Sequence, residues 1–239
     1  MPRPQRDAPT RRPTHAGSNA APARIVSELP RGLVGEIRQV AKTGRAEDVV
    51  RYVERAVRLI AEGAPEDAIR HAERAKHLAG RSAGIREILA LAYYGSGRWR
   101  EALREMQAYR RMSGRLDENH VIADCYRALG RADRAVEEAE AGLHADIPEE
   151  VRAECAVVGA SALADQGRYA DALAFIRRFP TRAAVGRPFD LRIWYVAGDI
   201  LSRLRRPAEA AKEFERVVRH DPSAFDAAER LAALGPDQA

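Results

Sequence analysis

The chain has 239 residues, 40 basic and 35 acidic side chains, a net charge of +5 and two cysteines. That length fits one large domain or two small ones, and the two cysteines, Cys125 and Cys155, make no spacing motif, so a reduced state is expected. There is no signal-like opening segment and no apolar run long enough to span a bilayer, so a soluble, cytoplasmic protein is expected.

Residues 1–28 hold Pro2, Pro4, Pro9, Pro13 and Pro22 among arginine, serine and threonine. Such a segment buries too little apolar surface to offset its ordering entropy, so a disordered basic arm is expected. Its five arginines against Asp7 and Glu28 give it +3, which leaves the other residues near neutral. The basic balance is therefore largely a property of the arm, and this weakens a nucleic-acid reading of the rest.

Leu33, Val34, Ile37, Val40 and Ala41 recur at helical spacing and predict a capping helix over 31–43 within a segment 29–47. Further helices are predicted at 47–61, 64–79, 83–95, 99–113, 117–129, 132–145, 149–166, 169–179, 189–204 and 207–219. A last one is predicted at 223–234, with Phe225, Ala228, Leu231 and Ala232 turned inward, in a C-terminal cap spanning 223–239. The connector at 180–188 is long, and its two prolines and a glycine keep it non-helical. Val50, Val53, Val57 and Ile60 would form an exposed apolar patch if left open. The first helix is expected to cover them.

These helices repeat. Gly63 with Ala68, Gly97 with Ala102, Gly130 with Ala135 and Gly167 with Ala172 each place a glycine five residues before an alanine. A fifth copy keeps Ala210 but has Arg205 where glycine would stand. The glycine ends one helix in the left-handed region, and the small alanine lets two helices approach. In the fifth copy Trp194, Gly198, Leu201, Ala210, Phe214 and Pro222 fall in the pattern of the tetratricopeptide repeat, which the stretch 48–222 resembles five times over. Gly159 departs from that pattern, which has leucine there. The resemblance implies an all-α fold, a right-handed α-solenoid of about five helix pairs with N- and C-terminal capping helices. Arginine supplies 37 of the 40 basic residues, a codon bias that points to a high-GC bacterium.

No dinucleotide fingerprint, phosphate loop, zinc-protease motif or cysteine metal pattern occurs, so neither enzyme activity nor a cofactor or metal is expected. What the resemblance implies is a protein-interaction scaffold whose first helices line a concave groove. Its candidate partner-binding residues are Glu87, Tyr94, His120, Asp124, Arg127, Arg192, Tyr195, Asp199 and Arg203. His120, Asp124 and Arg127 follow one another on a single helix face, fit either for an ion-pair ladder or for a peptide strip. Arg177, Arg178, Arg182 and Arg187, with no acid among them, form a possible anion-binding cluster. The alternative to peptide binding is a nucleic-acid-associated regulator using the arm and this cluster. Self-association is a third possibility, and no membrane partner is expected.

Overall fold

The computed structural model describes residues 29–182 and 184–235, so the arm expected at 1–28 lies outside the described residues. Among the described residues the chain forms twelve helices and no strand. They are α1 (Arg31–Val40), α2 (Ala46–Ala61), α3 (Pro65–Leu78), α4 (Ala83–Gly95), α5 (Trp99–Ser113), α6 (Asn119–Ala128), α7 (Ala132–Leu143), α8 (Glu149–Asp165), α9 (Tyr169–Ile176), α10 (Pro188–Arg203), α11 (Pro207–His220) and α12 (Ala227–Leu234). The helices α2 to α11 pack as five successive pairs, α2 with α3 through α10 with α11. The first helices of neighbouring pairs also meet, α2 with α4, α6 with α8 and α8 with α10.

Each helix pair closes at its alanine. Ala68, Ala102, Ala135, Ala172 and Ala210 are all fully buried, as close helix crossings require. Local chemistry sets the helix starts. Proline stands at the first position of α3, α10 and α11, where its missing N–H costs nothing. Ser82 Oγ accepts the Ile85 N–H at 3.2 Å and caps α4. Glu36 of α1 accepts the Ala83 N–H at 2.5 Å, so the capping helix also satisfies the start of α4.

Leu33, Ile37 and Val40 of α1 share one apolar cluster with Val50, Val53 and Val57 of α2. Ile60 packs instead against the next cluster, beside residues of α3 and α4. At the other end the expected inward face of α12 needs correction. Phe225, Ala228 and Ala232 are exposed, and Ala227 is the buried residue, with Leu231, as expected, and Leu234 packed nearby. The cause is a turn: Ser223 bonds Asp221, and Phe225 takes a positive φ of 57°, so the helix starts four residues later than expected.

The missing glycine of the fifth copy has a visible consequence. Gly63, Gly97, Gly130 and Gly167 all adopt φ between 70° and 76°, and Arg205 occupies the equivalent turn at φ 56°. An L-residue pays roughly 1–2 kcal/mol in that region. Arg205→Gly should therefore stabilise the protein by about 0.5–1 kcal/mol, after allowing for the extra chain entropy of glycine. Urea unfolding checks this, and an unchanged or lower midpoint would show that Arg205 is not strained.

Candidate functional site

The inward residues of the first helices are knitted to one another across the pairs. Tyr94 of α4 donates its hydroxyl to Asp124 of α6 at 2.6 Å. Arg127 of α6 bonds Asp124 at 2.8 Å and reaches Asp165 of α8 at 2.9 Å. Arg192 of α10 pairs with Glu154 of α8 at 3.5 Å. Tyr195 donates to Asp226, just before α12, at 2.6 Å, and its ring lies against Phe214 and Phe225. Asp199 accepts from Arg203 on its own helix at 3.0 Å and from Arg230 of α12 at 2.5 Å. Seven of the nine candidate residues, Tyr94, Asp124, Arg127, Arg192, Tyr195, Asp199 and Arg203, thus belong to a ladder of separate rungs, Tyr94–Asp124–Arg127–Asp165, Arg192–Glu154, Tyr195–Asp226 and Arg203–Asp199–Arg230. α12 closes that ladder, as a sixth first helix would.

Two candidates stand outside the ladder. His120 sits on α6 one turn before Asp124, and its Nδ1 is buried with no well-formed hydrogen bond among the described residues, only the Asp117 backbone acting on the ring. Burial pushes its imidazole down to about 4, against the pull of Asp124, so it is neutral at pH 7. Glu87 of α4 makes no hydrogen bond or ion pair among the described residues, and neither does Glu118, the residue preceding α6. Burial raises Glu87 to about 7, with Asp117 adding to the effect. Burial raises Glu118 to about 8, with the charge of Glu87 next in importance. Glu118, at the start of α6, thus feels the charge of Glu87 on α4, and neither carboxyl is bonded. Arg115, which pairs with Asp117, is the nearby cation opposing them. Glu118 escaped sequence reasoning. The signal was there, because Glu118 follows Glu87 by 31 residues, close to one repeat, which stacks like charges.

The folded values of both carboxyls lie above their unfolded values near 4.3. Their favourable contribution is thus present below that value and is lost as pH rises through 7 to 8. Glu87→Gln/Glu118→Gln should match wild-type stability at pH 4.5 and exceed it by at least about 1 kcal/mol at pH 8. Equal stabilities at both pH values, measured by urea unfolding, would show that the two groups do not sense each other.

The arginine cluster is spread over four local settings. Arg177 pairs with Glu209 at 3.7 Å, and Arg178 pairs with Glu140 at 2.9 Å. Arg187 bridges Glu149 at 2.6 Å and the fully buried Asp190 at 2.7 Å, which fixes the connector to the start of α10. Arg182 has an exposed side chain, while its backbone N–H donates to Asp190 at 3.3 Å. Three of the four charges are thereby matched by carboxylates within the fold.

Cys125 and Cys155 are free and fully buried, and burial pushes the Cys155 thiol up to about 12. Among the described residues no group of His, Cys, Asp or Glu is arranged to hold a metal ion, and no helix is long and apolar enough to cross a membrane.

Residues 191–234 match the family model described as tetratricopeptide repeat. No curated protein matches the sequence significantly. The fold is similar to that of a thermophilic TPR protein of Thermus thermophilus, with a TM-score of 0.58 and 19% identity, over 77% of this chain and 97% of that one. It is also similar to YrrB, a TPR protein with an unusual peptide-binding site. There the TM-score is 0.53 at 16% identity, over 85% of this chain and 98% of that one. Residues 191–234 thus match one tetratricopeptide repeat, and the stack of helix pairs has the fold of tetratricopeptide-repeat solenoids.

Proposed function

We propose that the chain is a non-catalytic protein-interaction scaffold that holds an extended segment of a partner protein along the first helices α4, α6, α8 and α10. The observation that carries this reading is the contrast on that face. Most inward polar groups are spent on the ladder, while Glu87 and Glu118 make no hydrogen bond or ion pair among the described residues. Half-buried carboxyls without partners are poorly solvated when charged, and a cation that pairs with them recovers part of that loss on binding. The chemistry of the pair selects a basic side chain, lysine or arginine, placed between the two carboxyls. The ladder residues Tyr94, Asp124, Arg127, Arg192, Tyr195, Asp199 and Arg203 then hold the spacing of the helices and flank the bound segment. A fold shared with a TPR protein that has a peptide-binding site supports the reading.

The test is a random-peptide display selection against the whole protein. Selected peptides should carry lysine or arginine at a fixed position. Their affinity should fall at least about tenfold on Glu87→Gln/Glu118→Gln, the loss of one charge-assisted contact. Affinity should also rise with pH between 6 and 8, because the cation ionises two carboxyls that are partly protonated in the free protein. Peptides without a basic residue, or equal binding to the double variant, would move recognition away from this pair.

A further inference from the structure

A second feature lies between the second helices α3 and α5, away from the ladder. A cavity of about 570 Å³ opens there, lined by Lys76, Arg86, Arg104, Glu105, Ala108, Arg111 and Met112. Glu105 is only 1% exposed, and both of its oxygens are in use. Oε1 accepts from Lys76 at 3.1 Å and from Arg104 at 3.2 Å, and Oε2 accepts from Arg86 Nη1 at 2.6 Å. Arg86 turns its remaining donors to the Gly80 carbonyl, and Lys76 also touches Glu73 at 3.3 Å. Counting Glu73, four cations meet two carboxylates, so a charge of +2 is left unmatched around the opening. Arg111 makes no hydrogen bond or ion pair among the described residues, and the Nη groups of Arg104 have none assigned to them.

Glu105 orders the cations without using up their donors. The buried carboxylate draws Lys76, Arg86 and Arg104 to one point, and the outer arms of Arg104 and Arg111 remain free to receive a second anion. The rim is not purely polar. Met112 is 42% exposed, one of three large apolar side chains that are exposed among the described residues, and Ala108 lies beside it. A small inorganic anion would use the charge and leave the methionine uncovered. A protein side chain with an apolar neighbour would use both.

We propose that this cavity is a second docking point, which receives an aspartate or glutamate carboxylate from an acidic segment of a partner protein. The forks of Arg104 and Arg111 hold the carboxylate, and Met112 contacts an adjacent apolar side chain. This site is independent of the Glu87–Glu118 pair and has the opposite charge preference.

The chain has three methionines, Met1, Met106 and Met112, which gives a direct readout. Protein labelled with ¹³C at the methionine methyl groups is titrated with an acetylated peptide of four glutamates around one leucine. Met112→Leu assigns the resonance. The Met112 signal should shift and saturate, while the fully buried Met106 signal stays in place. The same peptide with glutamine for glutamate should not bind. Arg104→Ala/Arg111→Ala should weaken the acidic peptide at least tenfold without changing the melting temperature, since both side chains are exposed and the Lys76–Glu105–Arg86 core is untouched. Glu87→Gln/Glu118→Gln should leave this titration unchanged, which separates the site from the one on the first helices. The proposal is overturned if the Met112 signal does not move at millimolar peptide. It is also overturned if the double arginine variant binds equally well, or if inorganic phosphate displaces the peptide completely at an equal concentration, which would make this a free-anion site.

Discussion

Glu105→Ala is expected to destabilise the protein by about 3 kcal/mol, the low end of the range for removing one member of a buried ion pair. The carboxylate is nearly inaccessible and binds three cations from three helices, Lys76 of α3, Arg86 of α4 and Arg104 of α5. Lys76 and Arg86 are themselves only about a fifth exposed, so truncation strands two positive charges where water reaches them poorly. Arg104 is largely exposed and adds little. At this chain length a loss of that size lowers the melting temperature by about 6–12 °C. Burial alone would raise the Glu105 carboxyl, but hydrogen bonds from Arg86 and Lys76 outweigh it and hold the group below its ordinary value. The linkage sign follows from that. The contribution is fully present above the unfolded value near 4.3 and is lost as pH falls through the depressed folded value. The gap between wild type and Glu105→Gln should therefore hold at neutral pH and close in acid. A gap that stays constant down to pH 2.5 would show that the carboxylate charge is not what matters.

Gly159→Leu should cost about 3 kcal/mol, although leucine is the residue the repeat pattern favours there. A Cβ at Gly159 would overlap the ring of Phe175, meeting Cζ at 2.6 Å, and would press on Ala139 Cβ at 3.0 Å. Phe175 of α9 is 6% exposed and fills the space that a leucine on α8 would otherwise take. The fourth repeat has moved its bulk from the first helix to the second. Phe175→Ala alone leaves a cavity and should cost about 3–5 kcal/mol. Combined, the two changes should cost clearly less than their sum, with a coupling of about 1–3 kcal/mol. Strict additivity in calorimetry would mean that leucine and phenylalanine do not compete for one space.

Most helices could be read from the chain because glycine, alanine and an apolar stripe recur together at each pair. The ends that were misplaced are those where a side chain overrides the period. At α12 the Asp221–Ser223 turn and the left-handed Phe225 delay the helix. The site was legible as residue types and not as partnerships. Tyr195 reads as an exposed anchor until Asp226 is seen to accept its hydroxyl, and Arg187 reads as a free cation until Glu149 and Asp190 are seen beside it. These partners lie one repeat away or across a turn: Tyr94 and Asp124 are 30 residues apart, Arg127 and Asp165 are 38, and Tyr195 and Asp226 are 31. Helical periodicity within one element says nothing about such pairs. Comparing charges one repeat apart would have exposed both the ladder and the unmatched Glu87 and Glu118.

The substantial helix contacts join elements that are next to each other in the chain or separated by one helix. This has a consequence for how the protein is made. A helix pair leaving the ribosome already has its N-terminal neighbours in place, and only the next pair must follow to cover its other side. Synthesis and folding can then advance together, each new pair docking on a finished surface. The exception is the most recent pair at any moment, which leaves one apolar flank open until its successor appears. On α10 and α11 that flank is covered by the short helix α12, whose Leu231 and Leu234 pack against it.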